Sequence, residues 1–341
     1  MEKNRTKRVL SLMALFLAAA ILVGAGGFFL GRRSGVQVFT EEKVVTVGQS
    51  GDFTSLNEAL YFLSSFSPAY RNGGIPCKIL ILSGTVIREQ VAVKQMDLQY
   101  ITITSEDDVV PVDCRGWDEN SLNYHDLRGD VAFIGGEDGA GLPTIGTLFQ
   151  MKNAGERGAV GYFLNRGSRG VVLPGCGFDG FYDGCISNNE SSLIIREGVA
   201  RNMVRWGVHG RHNGEILARS ADLSNCGLSA YADRVADLDV READMRGSLK
   251  AMDCRNLSRI NANGCAIYYS AGTEGYLILA EAGGEINCTD TDIQYGKTHV
   301  FCVKKGGTIY TDGAKVVGVP EGKGTYSQEP NILTSDGMIY R

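Results

Sequence analysis

Between residues 193 and 312 one four-residue pattern recurs six times. The blocks start at Leu193, Ile216, Leu238, Ile260, Ile286 and Ile309, spaced 23, 22, 22, 26 and 23 residues apart. Each reads apolar, variable, small, polar. Period two puts the first and third positions on one face of a strand. A repeat of about 20–25 residues is too short for most helical repeats and suits a coil of short strands. The pattern predicts one inward ladder of Leu193, Ile216, Leu238, Ile260, Ile286 and Ile309. A second ladder of Ile195, Ala218, Val240, Ala262, Cys288 and Thr311 runs beside it.

Upstream, Val44–Val47 reads as a strand. Residues 54–63 read as an amphipathic helix with Thr54 as N-cap and Leu56, Ala59, Leu60 and Leu63 on one face. A coil of strands needs its open end covered, and such a helix can cover it. Further strands are expected at 78–82, 90–93 and 100–104. This organises the body as a cap with first rungs (44–104), a Gly- and Asp-rich irregular excursion (105–169), regular rungs (170–318) and a C-terminal tail (319–341). The 45 glycines against 7 prolines in 341 residues fit many tight turns in ordered β-structure rather than a linker.

The N-terminus differs in kind. Val9–Leu30 is apolar, uncharged and long enough for one bilayer crossing. It predicts a basic cytoplasmic tail (1–8), a transmembrane anchor (9–31) and a linker (32–43), with the body outside the cytoplasm by the positive-inside bias. The rival is a signal peptide cut near Val23-Gly24-Ala25, giving a secreted body. The formal charge is −5. The first 33 residues carry six basic groups against Glu2; subtracting their +5 leaves the body at −10. So acidic a body argues against nucleic acid as a partner. The nine cysteines form no C-x-x-C pair and no Cys/His metal spacing, so they read as small buried thiols, with disulfides open if the body is exported. No cofactor motif and no metal site is expected.

Several segments carry a resemblance. Val47-Gly48 and Gly51–Leu56, followed by Glu58-Ala59-Leu60, resemble the start of the pectate-lyase-like (pectin-lyase-like) right-handed parallel β-helix proteins. Leu82-Ser83-Gly84, Glu89-Gln90-Val91, Ile101–Ser105, Leu173–Gly177, Ile260–Cys265 and Asn331–Tyr340 are more narrowly similar to phage and prophage (gene-transfer-agent-like) tail-fibre proteins. The resemblance covers roughly residues 44–341. It implies an all-β, single-stranded right-handed parallel β-helix, contact with a surface polysaccharide or glycan receptor, a homotrimer, and a place on a phage particle. It does not imply catalysis, since fold and function separate readily. The membrane span departs from the pattern of tail fibres and favours an envelope-attached version.

Three constellations are candidates for chemistry. Arg196, Arg219 and Arg241 hold the same place in successive rungs; such a basic file suits uronate or sialate carboxylates, or else forms a solvated, salt-bridged face. Asp222 and Asp244 lie at one phase of neighbouring rungs, with Asp292 at the same phase. A stacked pair can split acid and base roles at a retaining-glycosidase spacing, yet a repeating Asp is also a common turn device. Trp206, His209, Arg211 and His212, with Tyr231 one rung on, offer aromatic and guanidinium faces for a sugar ring. No G-x-S-x-G, Walker loop, dinucleotide fingerprint or H-E-x-x-H occurs. The leading expectation is non-catalytic glycan or receptor recognition on a β-helix. The alternative is a membrane-tethered polysaccharide lyase or glycoside hydrolase working through Asp222 and Asp244.

Overall fold

The computed structural model describes residues 37–69, 74–117, 130–153, 158–268, 276–294, 299–317, 333–334 and 337–340. These build an all-β parallel solenoid of about nine turns, a right-handed-type β-helix. Three sheets run along its length. The long sheet stacks nine parallel strands, from Val91–Lys94 through Asp183–Asn188, Trp206–Arg211, Leu228–Asp233 and Lys250–Arg255 to His299–Lys304. The second sheet holds the repeat blocks, from Arg169–Val171 to Thr308–Tyr310. Lys43–Val47, Cys77–Ile81, Ile101–Ser105 and Thr144–Ile145 lead into it through bridges at Gly141–Arg169 and Ile145–Val172. The third sheet begins with Val109–Val112 and ends with Lys315–Val317, joined midway by single bridges through Asp222 and Asp244.

The repeat ladder is observed residue for residue. Leu193 pairs with Ile216, then Leu238, Ile260, Ile286 and Ile309, all buried in one core. Ile195, Ala218, Val240, Ala262, Cys288 and Thr311 are buried beside them. Turns between the long and second sheets repeat as well. Asn189-Glu190, His212-Asn213, Arg234-Val235 and Asn256-Leu257 are successive pairs with positive φ. Two adjacent left-handed residues reverse the chain with no extra length, which keeps the repeat short. Seven of the nine cysteines are buried.

The helix spans Leu56–Leu63 and buries Leu56, Ala59, Leu60 and Leu63 as expected, but Ser55 rather than Thr54 is its N-cap. The Ser55 hydroxyl accepts from the Glu58 amide at 3.2 Å. The Glu89 carboxylate accepts from the Leu56 and Asn57 amides, so two further open donors of the first turn are filled from the neighbouring rung.

The span 105–169 is not an irregular excursion throughout. It carries Val109–Val112, Val131–Glu137, Thr144–Ile145, Leu148–Met151 and Ala159–Leu164, all in parallel register with later rungs. Its turns are filled by rings: Phe133, Phe149, Tyr162, Phe178 and Phe181 stack inside with centroids 4.9–6.1 Å apart. In the C-terminal tail, Gly337–Tyr340 pairs with Thr308–Tyr310 and sets Ile339 opposite Ile309. The apolar segment 9–31 lies outside the described residues. Among those described, no helix is long and apolar enough to cross a membrane.

Candidate functional site

The outer surface of the long sheet differs from the rest of the coil. Its strands bend in the middle. Within one strand Phe133 and Ile134 both face the core, and at the same place lower down stand Gly184-Cys185 and Gly207-Val208. The bend brings neighbouring rungs very close: a Cβ on Gly184 would lie 2.4 Å from the Gly207 carbonyl, and one on Gly207 2.6 Å from that of Ser229. Beyond the bend, side chains point outward again in a column. Phe163, Ile186, His209, Tyr231 and Asp253 occupy it in successive rungs. Before the bend, Trp206 and Leu228 face outward in successive rungs.

His209 is the centre of this surface. Its ring packs between Trp206, at 4.2 Å between centroids, and Tyr231, at 4.5 Å with planes 17° apart. Only 3% of the residue is exposed, and neither ring nitrogen has a hydrogen-bond partner among the described residues. Burial, then the charges of Arg211, Arg205, His212 and Arg234, hold its pKa well below the usual histidine range. The imidazole is therefore neutral, and both of its nitrogens are enclosed by the fold. It borders a depression of about 210 Å³ lined also by Phe163, Ile186, Asn188, Arg205, Trp206, Arg211, Tyr231, Asp233 and Arg234. That is below the range of about 300–1,000 Å³ that suits drug-sized ligands, and fits a single small ring.

The walls are held by polar networks one rung apart. Arg205 lies 3.8 Å from the centre of the Trp206 ring and 4.6 Å from that of Tyr182. It donates from Nε to Asp183 Oδ1 at 2.9 Å and through Nη2 also bonds Asp130. Asp183 additionally accepts the Trp206 amide at 3.2 Å. Burial pushes the Asp183 pKa up to about 6, although Arg205 works against it. On the opposite wall, His212 bridges two rungs, with Nδ1 2.9 Å from Asn188 Oδ1 and Nε2 2.9 Å from Arg234 Nη1. Burial raises the Tyr231 phenol to about 12.

The other constellations sit elsewhere. Arg219 donates to Glu242 at 2.7 Å, and Arg241 to Asp239 at 2.8 Å. Arg196 is exposed at the corresponding turn. The file is thus largely answered by carboxylates and belongs to the turns after the second sheet. Asp222 and Asp244 are bridged neighbours on the third sheet, as their shared phase required. Asp222 accepts from Arg201 at 3.0 Å and from the Ser224 hydroxyl at 2.6 Å. Asp244 accepts from Arg246 Nε at 2.8 Å, and that bond holds its pKa below the ordinary aspartate value. Asp244 therefore lacks the raised pKa that a general acid requires. Among the described residues no group of three or more His, Cys, Asp or Glu side chains could hold a metal ion.

Sequence reasoning missed Arg205, Asp183, Asn188 and Arg234. One signal was present: Asp183 and Arg205 are 22 residues apart, as are His212 and Arg234, which is the spacing of the repeat. No protein-family model matches the chain, and no curated protein matches it.

Proposed function

We propose that this protein is a non-catalytic glycan-recognition protein that presents its site on the side of a β-helix, in the manner that its likeness to tail fibres implies. The observation that carries the reading is the aromatic surface at the edge of the depression: Trp206 and Tyr231 pack on the buried ring of His209 and line the depression with it. Trp206 and Tyr231 supply faces on which the C–H side of a pyranose packs. Binding without cleavage fits the carboxylates, since Asp222 and Asp244 are committed to Arg201 and Arg246. In this reading residues 9–31 tether the body at the outer side of a membrane, and the assembly is the homotrimer of the resembling proteins.

The test is retention of the full-length chain on immobilised bacterial surface polysaccharides, with new reducing ends and unsaturated uronates measured in the same tubes. Retention without new ends is expected. Trp206→Ala should weaken it by tenfold or more, as removal of a central aromatic anchor costs about 2 kcal/mol or more. Asp222→Asn combined with Asp244→Asn should leave retention intact. Absence of retention across the panel, or release of ends that the double variant abolishes, overturns the proposal.

A further inference from the structure

The cap end of the coil carries an apolar surface of its own. The helix Leu56–Leu63 buries one face and turns the other outward, where Tyr61 is 83% exposed. Val38, in the strand Gln37–Phe39, is 65% exposed, and Val44, Phe62 and Met96 stand open around the same end. Between the helix and Val91–Lys94, the edge strand of the long sheet, runs a groove of about 480 Å³ whose lining includes Leu60, Tyr61, Met96 and Leu98. Lys43 reaches over two rings at this end, with Nζ 4.0 Å from the centre of Phe66 and 5.4 Å from that of Phe62. Single exposed apolar residues are ordinary, but a set gathered at one end of a coil marks a surface of interaction.

The chain also enters the body at this end. Gln37–Phe39 pairs in parallel with Phe66–Pro68, just past the helix, and the Gln37 amide donates to the Ser65 carbonyl at 3.0 Å. Only residues 32–36 lie between the apolar segment 9–31 and Gln37. Six residue steps reach at most about 21 Å, roughly half the length of a coil of about nine turns that rises about 4.8 Å per turn. We propose that the cap end seats on the lipid surface of the membrane that residues 9–31 cross, so that the coil stands on its cap with its far end directed away. The inference rests on the membrane tether in the reading above and deepens it. The short tether brings this end to the headgroups, and the apolar side chains set the orientation. Aromatic rings are at home at that level, with the Tyr61 hydroxyl toward water, and Lys43 keeps its ammonium among the headgroups while its stem lies against Phe66. Because the contact is intramolecular, the effective concentration is on the order of millimolar, and a patch too small to bind free vesicles suffices. Glu41, Glu42 and Glu58 are exposed at the same end, so the attraction is apolar rather than to anionic headgroups.

The experiment places the full-length chain in phosphatidylcholine vesicles with and without bromine on the upper part of the acyl chains, where bromine quenches a nearby indole. Met96→Trp reports from the cap and Val317→Trp from the last turns. Bromination is expected to cut the emission added by Met96→Trp by half or more and to leave that added by Val317→Trp unchanged. Tyr61→Glu combined with Val38→Glu, at two open positions, should restore the Met96→Trp emission, with circular dichroism verifying an unaltered fold. Equal emission from Met96→Trp in both kinds of vesicle, in chain that floats with the vesicles and withstands alkaline carbonate, overturns the seat and leaves the tether standing. Quenching of Val317→Trp as well shows a coil lying flat and overturns the upright arrangement. Chain that does not float with the vesicles overturns the tether together with this inference, while retention on polysaccharide still tests the glycan reading.

Discussion

Replacing His209 with phenylalanine is expected to stabilise the fold and destroy the site. The imidazole is buried with both nitrogens unpartnered among the described residues. Each unpaired buried polar group costs about 1–3 kcal/mol. Phenylalanine removes both groups and keeps a ring between Trp206 and Tyr231. Its larger ring has the adjoining depression to expand into, so overpacking offsets only part of the gain. A net gain of about 1 kcal/mol at pH 7.5 follows. Acid enlarges it. An unfolded histidine titrates near 6.5, whereas His209 in the fold is held well below that. As pH falls through 6.5 the unfolded chain takes up a proton that the folded chain refuses, so the native protein loses stability through this group. At pH 5.5 the loss is about 1.4 kcal/mol, and the phenylalanine variant is spared it. Urea unfolding followed by circular dichroism at pH 7.5 and 5.5 measures both terms. A variant less stable than the native protein by more than about 1 kcal/mol at pH 7.5 would show that the nitrogens are satisfied within the fold. A stability gap that does not widen at pH 5.5 would show that the folded imidazole protonates freely.

Other perturbations probe the scaffold and the walls. Leu238→Ala should cost about 3–5 kcal/mol, because Ile216 and Ile260 above and below are fixed by rung hydrogen bonds and cannot collapse into the space; Arg219→Ala, at an exposed ion pair, should stay within about 0.5 kcal/mol by the same denaturation. Asp183, raised to about 6, keeps a proton in the fold between pH 4 and 6 that the unfolded chain releases. Its contribution is therefore most favourable below pH 4 and is lost as pH rises through 6, on the order of 3 kcal/mol; unfolding curves of Asp183→Asn should lack this slope relative to the native chain. Val235 holds φ 67° while 54% exposed, so Val235→Asn should raise the urea midpoint by an amount equal to about 1 kcal/mol, and a lowered midpoint would contradict the strain argument.

The rungs from Leu193 onward were legible because each presents one large and one small inward residue at nearly constant spacing. The earlier turns hid for a physical reason. In Val131–Glu137 and Ala159–Leu164 every residue is buried, since the bend turns two consecutive residues inward and Ala132, Val160 and Phe163 form a second apolar cluster on the other face. Alternation, the usual sign of a strand, is erased there. The site was half legible. Trp206, His209 and Tyr231 stood out as rings at one phase. The Asp183–Arg205 pair did not, because a charged residue in a strand reads as solvent-facing until its burial is known. The arginine file misled for the converse reason: residues at equal phase share a column, but the carboxylates at Glu242 and Asp239 neutralise it locally.

Because every rung touches only its neighbours, the coil also acts as a ruler. The parallel strands advance about 4.8 Å per turn, so about nine turns make a shaft roughly 43 Å long. The His209 surface lies partway along it, on strands with rungs both above and below. Its height from either end is therefore counted in whole turns. Gain or loss of one unit of 22 or 23 residues outside the site would shift that height by a single step and leave the geometry around His209 untouched.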